Sequence, residues 1–365
     1  MLEENNNVKD KKISEISKTG YHHLKENNIS YAIDCFSKIL MMDENNNYAL
    51  VGMGDASRKA GSIQDAVKYY QRCLSHHPGN NYALFGLADC YKAMNQYQKA
   101  IDIWEQYLLY DDKNITVLTR IADAYRKVRD FTNSKKIYQK VLEMEDDNPY
   151  AIIGLGHLHY DFKEYREALY YLEKMHNSGT KDTDIRVLTS IGNCHRKLKS
   201  FNEGIPFFES ALKRENRNFY ALFGLADCYR GLGQLDDTLK YCNLILELDP
   251  KNKMILTRTG DAYRNANNYE KAKEFYEKAL NIEFDTYAVL GIALLSKAQK
   301  KFEDAIDSLK RLIQQDSKNI RLYIELSDCY QKMGEQKTAV EILENYQKLG
   351  NKSQKITEIL ENIKI

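Results

Sequence analysis

The stretch YALFGLADCY occupies residues 82–91 and returns, letter for letter, at residues 220–229. Weaker copies begin at three other tyrosines: YALVGMGDAS at Tyr48, YAIIGLGHLH at Tyr150 and YAVLGIALLS at Tyr287. Tyr48 and Tyr82 are 34 residues apart. Self-similarity at a period of this length indicates an array of helical repeats, in which each repeat buries its apolar face against its neighbours.

A small residue recurs at one place in every repeat and divides the chain into ten repeats: Gly20, Gly54, Ala88, Ala122, Gly156, Gly192, Ala226, Gly260, Ala293 and Ser327. We number each repeat so that this residue is position eight; in the second repeat, position one is then Asn47. A second small residue follows twelve places later, often with an aromatic residue four places beyond it, as in Ala66 and Tyr70. Apolar positions three and four apart predict two amphipathic helices in each repeat.

A turn rich in Gly, Asn and Lys separates the two predicted helices. It contains Gly61, Asn95, Gly233, Asn267 and Gly334, residues that adopt the left-handed conformation with which many helices end. Each repeat is therefore predicted to be helix, turn, helix.

This spacing of small and aromatic residues resembles the tetratricopeptide repeat family. Pro78 and Pro250 match the proline that the family places near the end of each repeat, although most repeats here lack it. The resemblance implies an all-α fold, a right-handed solenoid of about ten helix-turn-helix repeats over residues 13–350. We interpret residues 1–12 as a disordered polar tail. Residues 351–365 are predicted to form a C-terminal capping helix, because their isoleucines and Leu360 form one apolar stripe.

Composition argues against several classes of protein. We find no apolar run suited to a signal peptide or a membrane span. The seven cysteines contain no CxxC pair, which favours free thiols in a reducing compartment over disulfides or a metal site. The chain has no phosphate loop, HExxH or GxSxG motif. We therefore expect a cytoplasmic protein that is not an enzyme and holds no metal or cofactor.

The resemblance also implies a concave groove lined by the first helix of each repeat, at positions two, five, six, nine, twelve and thirteen. Position nine is mostly Asp and position twelve mostly basic, so an acidic and a basic ladder run side by side. Cations outnumber anions at these positions although the whole chain carries a formal net charge of only +1, and a basic concavity attracts acidic segments. Tyrosines at position two and glycines at position six would let partner side chains pack between repeats. The predicted partner-binding residues are Arg58, Lys92, Arg120, Arg126, Arg196, Arg230, Arg258, Arg264, Asp89, Asp123, Asn193, Asp227, Asp261, Tyr82, Tyr150 and Tyr220.

Structural interpretations of these residues stay open. Asp at position nine and Arg at position twelve can pair within one helix and fix the stacking of repeats. The tyrosines can pack on the preceding repeat. Repeats with Tyr at position two alternate with repeats that read VLTR from Val117, VLTS from Val187 or ILTR from Ile255. Duplication alone could leave this pattern.

The predicted function is a non-catalytic scaffold that binds protein segments, with acidic segments favoured; oligomeric state is not predicted. One alternative is a co-chaperone-like binder of acidic C-terminal tails. The clamp that the resembled family uses for such tails has a lysine at position five, whereas position five carries no charge here. Another is an RNA-binding helical repeat, which the Asp ladder disfavours because it repels phosphates. A third is a subunit that recruits substrate for a separate enzyme.

Overall fold

A computed structural model describes residues 2–178, 184–351 and 353–363, with side chains from residue 9 onward. The secondary structure of these residues consists of 21 helices, and the first twenty form ten successive helix pairs. The chain divides into two compact parts, which we call the N-terminal half (described to residue 178) and the C-terminal half (from residue 184). The predicted all-α fold of about ten helical repeats is thus confirmed.

The helices of the N-terminal half are α1 (Leu2–Lys25), α2 (Ile29–Met42), α3 (Asn47–Lys59), α4 (Ile63–His76), α5 (Asn81–Ala93), α6 (Tyr97–Leu108), α7 (Ile115–Lys127), α8 (Phe131–Met144), α9 (Pro149–Asp161) and α10 (Tyr165–Asn177). Odd-numbered helices are the first helices of their repeats. Each packs against the second helix of its own repeat, and within this half each second helix packs against the next first helix.

The helices of the C-terminal half are α11 (Ile185–Leu198), α12 (Phe201–Arg214), α13 (Phe219–Gly231), α14 (Leu235–Leu248), α15 (Lys253–Asn265), α16 (Tyr269–Ile282), α17 (Thr286–Ala298), α18 (Phe302–Gln315), α19 (Ile320–Lys332), α20 (Gln336–Lys348) and α21 (Gln354–Ile363). The same order of packing runs from α11 to α20.

Asparagine caps start most of the first helices. The side chain of Asn46 accepts a hydrogen bond from the backbone N–H of Ala49 at 3.1 Å, and its amide donates to Asp43 at 3.0 Å. Such a cap stabilises a helix by about 1 kcal/mol. The same acid and asparagine arrangement recurs at Asp111 and Asn114, Glu145 and Asn148, Glu215 and Asn218, and Asp249 and Asn252. These caps were not predicted, although the Asn returns at the repeat period in the sequence.

The turns inside the repeats have the predicted left-handed residue. The φ angle is positive at the five predicted sites, Gly61, Asn95, Gly233, Asn267 and Gly334. It is also positive at the equivalent Arg129, Lys163, Lys199 and Lys300. Arg and Lys seldom adopt this conformation, so the residue type at these four positions did not predict a left-handed residue.

Aromatic rings of the second helices pack between glycines of two successive first helices. A Cβ atom at Gly54 would lie 2.5 Å from the ring of Tyr70, and one at Gly86, in the next repeat, 2.4 Å from the same ring. Equivalent pairs of glycines enclose other rings: Gly20 and Gly52 enclose Phe36, Gly192 and Gly224 enclose Phe208, and Gly260 and Gly291 enclose Tyr276. The prediction that partner side chains fill the position-six glycine gaps is therefore wrong, because the chain's own rings fill them.

This packing explains the alternation of the repeats. Successive first helices approach each other closely at α1 and α3, α3 and α5, α7 and α9, α11 and α13, and α15 and α17, and in each case position six of the later helix is glycine. The helices α5 and α7, and likewise α13 and α15, approach less closely, and there position six is Arg120 or Arg258. The alternating repeats thus differ in how tightly their first helices pack.

The two ends differ in how far the sequence predicted them. Helix α1 begins at Leu2, within the segment interpreted as a disordered tail, and no glycine or proline interrupts residues 2–12. Residues 9–12 are exposed, and Ile13 is the first buried residue among those whose side chains are described. At the other end, Ile356 and Leu360 of α21 are buried in one cluster with Leu343 and Tyr346.

Several features bear on the wider class of the protein. Within the described ranges, no helix combines the length and apolar character that a membrane span needs. The same ranges contain no group of three or more His, Cys, Asp or Glu residues suited to a metal ion. The seven cysteines are free thiols, and burial raises the pKa of Cys73, Cys90 and Cys228 to about 11. These thiols are poor nucleophiles and pack as small apolar side chains.

Candidate partner-binding face

The acidic and basic ladders of the N-terminal half interlock across repeats. Arg58 contacts Asp55 of its own helix at 3.4 Å and Asp89 of the next first helix at 3.2 Å. Lys92 lies 3.8 Å from Asp123 in the next repeat. Further along, Arg126 pairs with Asp123 at 2.6 Å and with Asp161. The position-twelve cation therefore bridges two successive first helices.

The C-terminal half repeats this scheme in part: Arg196 and Lys297 reach the next first helix, whereas Arg230 and Arg264 pair within their own helices. Arg196 donates to Asp227 of the next first helix at 2.5 Å, and Arg230 to the same carboxylate at 2.7 Å. Arg264 lies 3.5 Å from Asp261. The ladder of this half continues at Lys297, which pairs with Asp328 at 2.6 Å and with Glu325.

Position-six arginines complete two equivalent clusters, one around each copy of the decapeptide. Arg120 pairs with Asp89, and its guanidinium carbon lies 4.8 Å from the ring centre of Phe85. Arg258 pairs with Asp227 at 2.5 Å and lies 4.6 Å from the ring centre of Phe223. A cation over an aromatic face is held by the ring quadrupole as well as by its ion pair. The arginines at position six are thus fixed in place by contacts within the chain.

Asp227 is the most strongly held carboxylate of the ladder. It is 8% exposed and is contacted by three arginines, Arg196, Arg230 and Arg258. Burial by itself would raise the pKa of Asp227, but the charges and hydrogen bonds of Arg258, Arg230 and Arg196 outweigh burial and lower it. Asp227 is therefore ionised at neutral pH.

These contacts give the predicted ladder residues a structural role. Every Arg, Lys and Asp in the predicted set, from Arg58 to Arg264, has an ion-pair partner on its own or a neighbouring first helix, and Asn193 accepts from Arg196. The partly exposed pairs of the ladder, such as Lys92 with Asp123, contribute from about 0.2 to 1 kcal/mol each. Contact with a partner stays a prediction for all of them.

The position-two tyrosines behave differently from the ladder. Tyr82 is 79% exposed, Tyr150 74% and Tyr220 68%. Tyr48 and Tyr287, at the same position, are 60% and 70% exposed. These tyrosines could have been buried against the preceding repeat. Their exposure shows that they are not, because most of each residue faces solvent.

Clefts lie beside the tyrosines in each half. In the N-terminal half, a cleft of about 910 Å³ is lined by Ile13, Tyr21, Tyr48, Val51 and Tyr82, among others. Tyr82 also borders a second cleft, of about 490 Å³, whose lining includes Asn81, Phe85 and Tyr107.

The cleft of the C-terminal half measures about 540 Å³. Its lining includes Arg230, Lys253, Thr257, Arg258 and Tyr287. Thr257 was not among the predicted site residues, and neither were Tyr21 and Val51, which line the cleft of the N-terminal half. All three occupy positions that the resemblance turns toward the groove, but they carry no charge to single them out.

Comparisons with known proteins agree with this architecture. Models of the tetratricopeptide repeat match residues 57–119, 115–148, 192–253, 255–286 and 297–356. No curated protein matches the chain. The solved structure of pilF from Pseudomonas aeruginosa is similar, with a TM-score of 0.50 and 14% identity over 59% of this chain and 96% of that one.

Two other similar structures have lower TM-scores. YrrB, described as a tetratricopeptide repeat protein with an unusual peptide-binding site, has a TM-score of 0.45 and 22% identity over 51% of this chain and 95% of its own. Yeast Tom70 has a TM-score of 0.45 and 14% identity over 98% of this chain and 96% of its own. The repeat matches extend from residue 57 to residue 356, through both halves and over the observed helix pairs, and the chain therefore belongs to the tetratricopeptide repeat family.

Proposed function

We propose that this chain is a non-catalytic interaction scaffold that binds acidic segments of partner proteins on its first-helix face, the surface formed by positions two, five, six, nine, twelve and thirteen of the first helices. Membership of the repeat family supports a role in binding proteins or peptides. The observation that carries the proposal is the series of exposed tyrosines at position two.

Five tyrosines stand at the same position of five first helices, Tyr48, Tyr82, Tyr150, Tyr220 and Tyr287, and each is 60% to 79% exposed. A tyrosine ring provides a large, rigid apolar area together with a hydroxyl that can bond to a partner. Such residues are enriched among those that contribute most of the binding energy at interfaces. Tyr48, Tyr82 and Tyr150 stand in the N-terminal half and Tyr220 and Tyr287 in the C-terminal half, so each half offers more than one ring to a partner segment.

Charge supports an acidic partner. In both halves, cations outnumber anions at the face positions, even though the ladders pair many of them. An excess of positive charge raises the rate at which an acidic segment associates. The carboxylates that interleave with the cations disfavour a nucleic acid, whose phosphates would meet Asp89 or Asp227 on the same track.

A clamp for acidic C-terminal tails is supported less well. Position five is occupied in the duplicated decapeptide by Phe85 and Phe223, and each ring lies against an arginine of the next repeat. The free thiols support a reducing, cytoplasmic location.

Panning a random-peptide display library against the purified chain tests the proposal. We expect recovered peptides to be enriched in Asp and Glu. A variant with Tyr82→Ala, Tyr150→Ala and Tyr220→Ala should bind them more weakly, by about tenfold or more, because each lost ring removes contact area.

The matched control replaces three exposed residues of the second helices, Tyr31→Ala, Tyr170→Ala and Leu244→Ala, which are 64%, 64% and 37% exposed. This control should bind as the parent does. Recovery of peptides without acidic enrichment, or equal binding by the two triple variants, would contradict the proposal.

A further inference from the structure

The two halves carry the same ladder but with different charge. In the N-terminal half, four cations, Arg58, Lys92, Arg120 and Arg126, face four carboxylates, Asp55, Asp89, Asp123 and Asp161. The equivalent cations of the C-terminal half are Arg196, Arg230, Arg258 and Arg264. Only Asp227 and Asp261 remain of the equivalent carboxylates, because Asn193 replaces Asp55 and Ala298 replaces Asp161.

The excess positive charge of the C-terminal half is concentrated around Asp227. Three arginines share this one carboxylate. The Nε atom of Arg196 donates to the neutral amide oxygen of Asn193 at 3.1 Å, where the equivalent Arg58 faces the carboxylate of Asp55. The ring of Phe223 lies 5.7 Å from the guanidinium of Arg196 and 4.6 Å from that of Arg258. The ring therefore holds two cations close together although they repel each other.

A cleft opens beside this cluster, and it contains an unused hydrogen-bonding group. Thr257 lines the cleft, is 5% exposed, and its hydroxyl has no hydrogen-bond partner in the described part of the chain. The equivalent Thr119 donates to the backbone carbonyl of Ile115 at 2.9 Å. A buried hydroxyl without a partner has lost the hydrogen bonds that it makes in water, and a ligand oxygen would replace them.

The carboxylates of the cleft are already engaged. Asp261 accepts a hydrogen bond from the hydroxyl of Tyr276 at 2.7 Å, and Asp285 caps α17 by accepting from two backbone N–H groups. Lys253 reaches Glu283 at 2.8 Å. Arg230 remains 44% exposed despite its contact with Asp227, so it can turn toward a ligand.

We propose that the arginine cluster, which consists of Arg196, Arg230 and Arg258, attracts and holds an anionic side chain of a partner segment in this cleft. The balanced ladder of the N-terminal half does not do so. Arg230 and Arg258 line the cleft, and Arg196, which shares Asp227 with them, adds to the positive charge beside it. The inference rests on the proposed function only in taking the ligand to be a protein segment. Guanidinium groups bind carboxylates and phosphates alike, so the ligand group is a carboxylate or a phosphorylated side chain.

Replacement of a single oxygen or nitrogen atom tests the inference. Asn193→Asp restores the missing carboxylate with almost no change of shape. In the full chain, this variant should bind a labelled hexaglutamate peptide roughly fivefold more weakly than the parent at low salt, as measured by fluorescence anisotropy. The matched control is Asp55→Asn, which removes the equivalent carboxylate from the other half and should not weaken binding. A phosphoserine peptide of equal length shows whether phosphate is preferred to carboxylate.

A second pair of variants tests the cleft without changing the charge of the protein. Thr257→Val should weaken hexaglutamate binding, whereas Thr119→Val should leave it unchanged. Equal affinity of the parent and Asn193→Asp, or absence of measurable binding by the parent, would overturn the inference. Library peptides that bind the parent and Asn193→Asp equally would leave the proposed function standing, while failure to recover any acidic peptide would count against that function itself.

Discussion

The close contact between the ring of Phe208 and Gly224 allows a quantitative test of how the repeats stack. Phe208 is fully buried, and a Cβ atom at Gly224 would lie 2.3 Å from its ring. The ring is also held on its other side, where a Cβ atom at Gly192 would lie 2.7 Å away. Gly224→Ala therefore forces a ring to move that has little room to do so.

The expected magnitudes follow from this geometry. Overpacking of a core costs about 1–3 kcal/mol, and the higher helix propensity of alanine returns about 1 kcal/mol, so Gly224→Ala should destabilise by up to about 2 kcal/mol. Phe208→Leu removes buried ring atoms and should cost about 1–2 kcal/mol. In the double variant the new methyl group enters the space that the ring vacated. The double variant should therefore be about 1–2 kcal/mol more stable than the two separate costs predict.

Thermal and urea unfolding of the parent, both single variants and the double variant measure this coupling. One kcal/mol corresponds to about 2–4 °C in Tm for a part of this size. Gly79→Ala is the control, because its Cβ atom would lie 3.0 Å from Tyr110, a ring that is 58% exposed and free to rotate. Strictly additive costs for Phe208 and Gly224, or a loss at Gly79 as large as that at Gly224, would refute the reasoning.

Three further predictions concern a cap, a buried carboxylate and the last helix. Asn218→Ala should lower the free energy of unfolding by about 1 kcal/mol in urea titrations, whereas Gln234→Ala, at an N-cap whose side chain makes no capping bond, should change it little. Because the folded pKa of Asp227 is lowered, its stabilising effect is present above the unfolded pKa of about 3.9 and is lost as the pH falls through the folded value. The difference in Tm between the parent and Asp227→Asn should accordingly shrink below about pH 4; a constant difference would contradict this. Ile356→Asp with Leu360→Asp should detach α21 and expose apolar surface, so that light scattering reports association; an unchanged mass and melting curve would mean that the helix does not cover that surface.

The sequence was sufficient for the fold because its signals are local. Small residues such as Ala88 and Ala122, and turn residues such as Gly61 and Asn95, recur at one spacing, and each acts within its own repeat. Helix α1 begins at Leu2, and its first turns were not predicted because the polar composition of residues 1–12 was taken to mean disorder.

The site was less predictable because its contacts join different repeats. The pairing of Arg58 with Asp55 is visible from their spacing, but the pairing of Arg58 with Asp89 depends on how two helices stack. In the sequence, Gly86 indicates an empty space on the side of its helix. Only the structure shows that the ring of Tyr70, from the preceding repeat, fills this space. Exposure of Tyr82 likewise depends on which neighbours could have covered it.

The most direct test of the central claim is to map where a bound acidic peptide lies. A library-selected peptide that carries a photo-reactive group can be cross-linked to the full chain and the adducts located by mass spectrometry. We predict adducts on first helices, at or beside exposed tyrosines such as Tyr82, Tyr220 and Tyr287. Adducts confined to second helices such as α14 and α16 would contradict it.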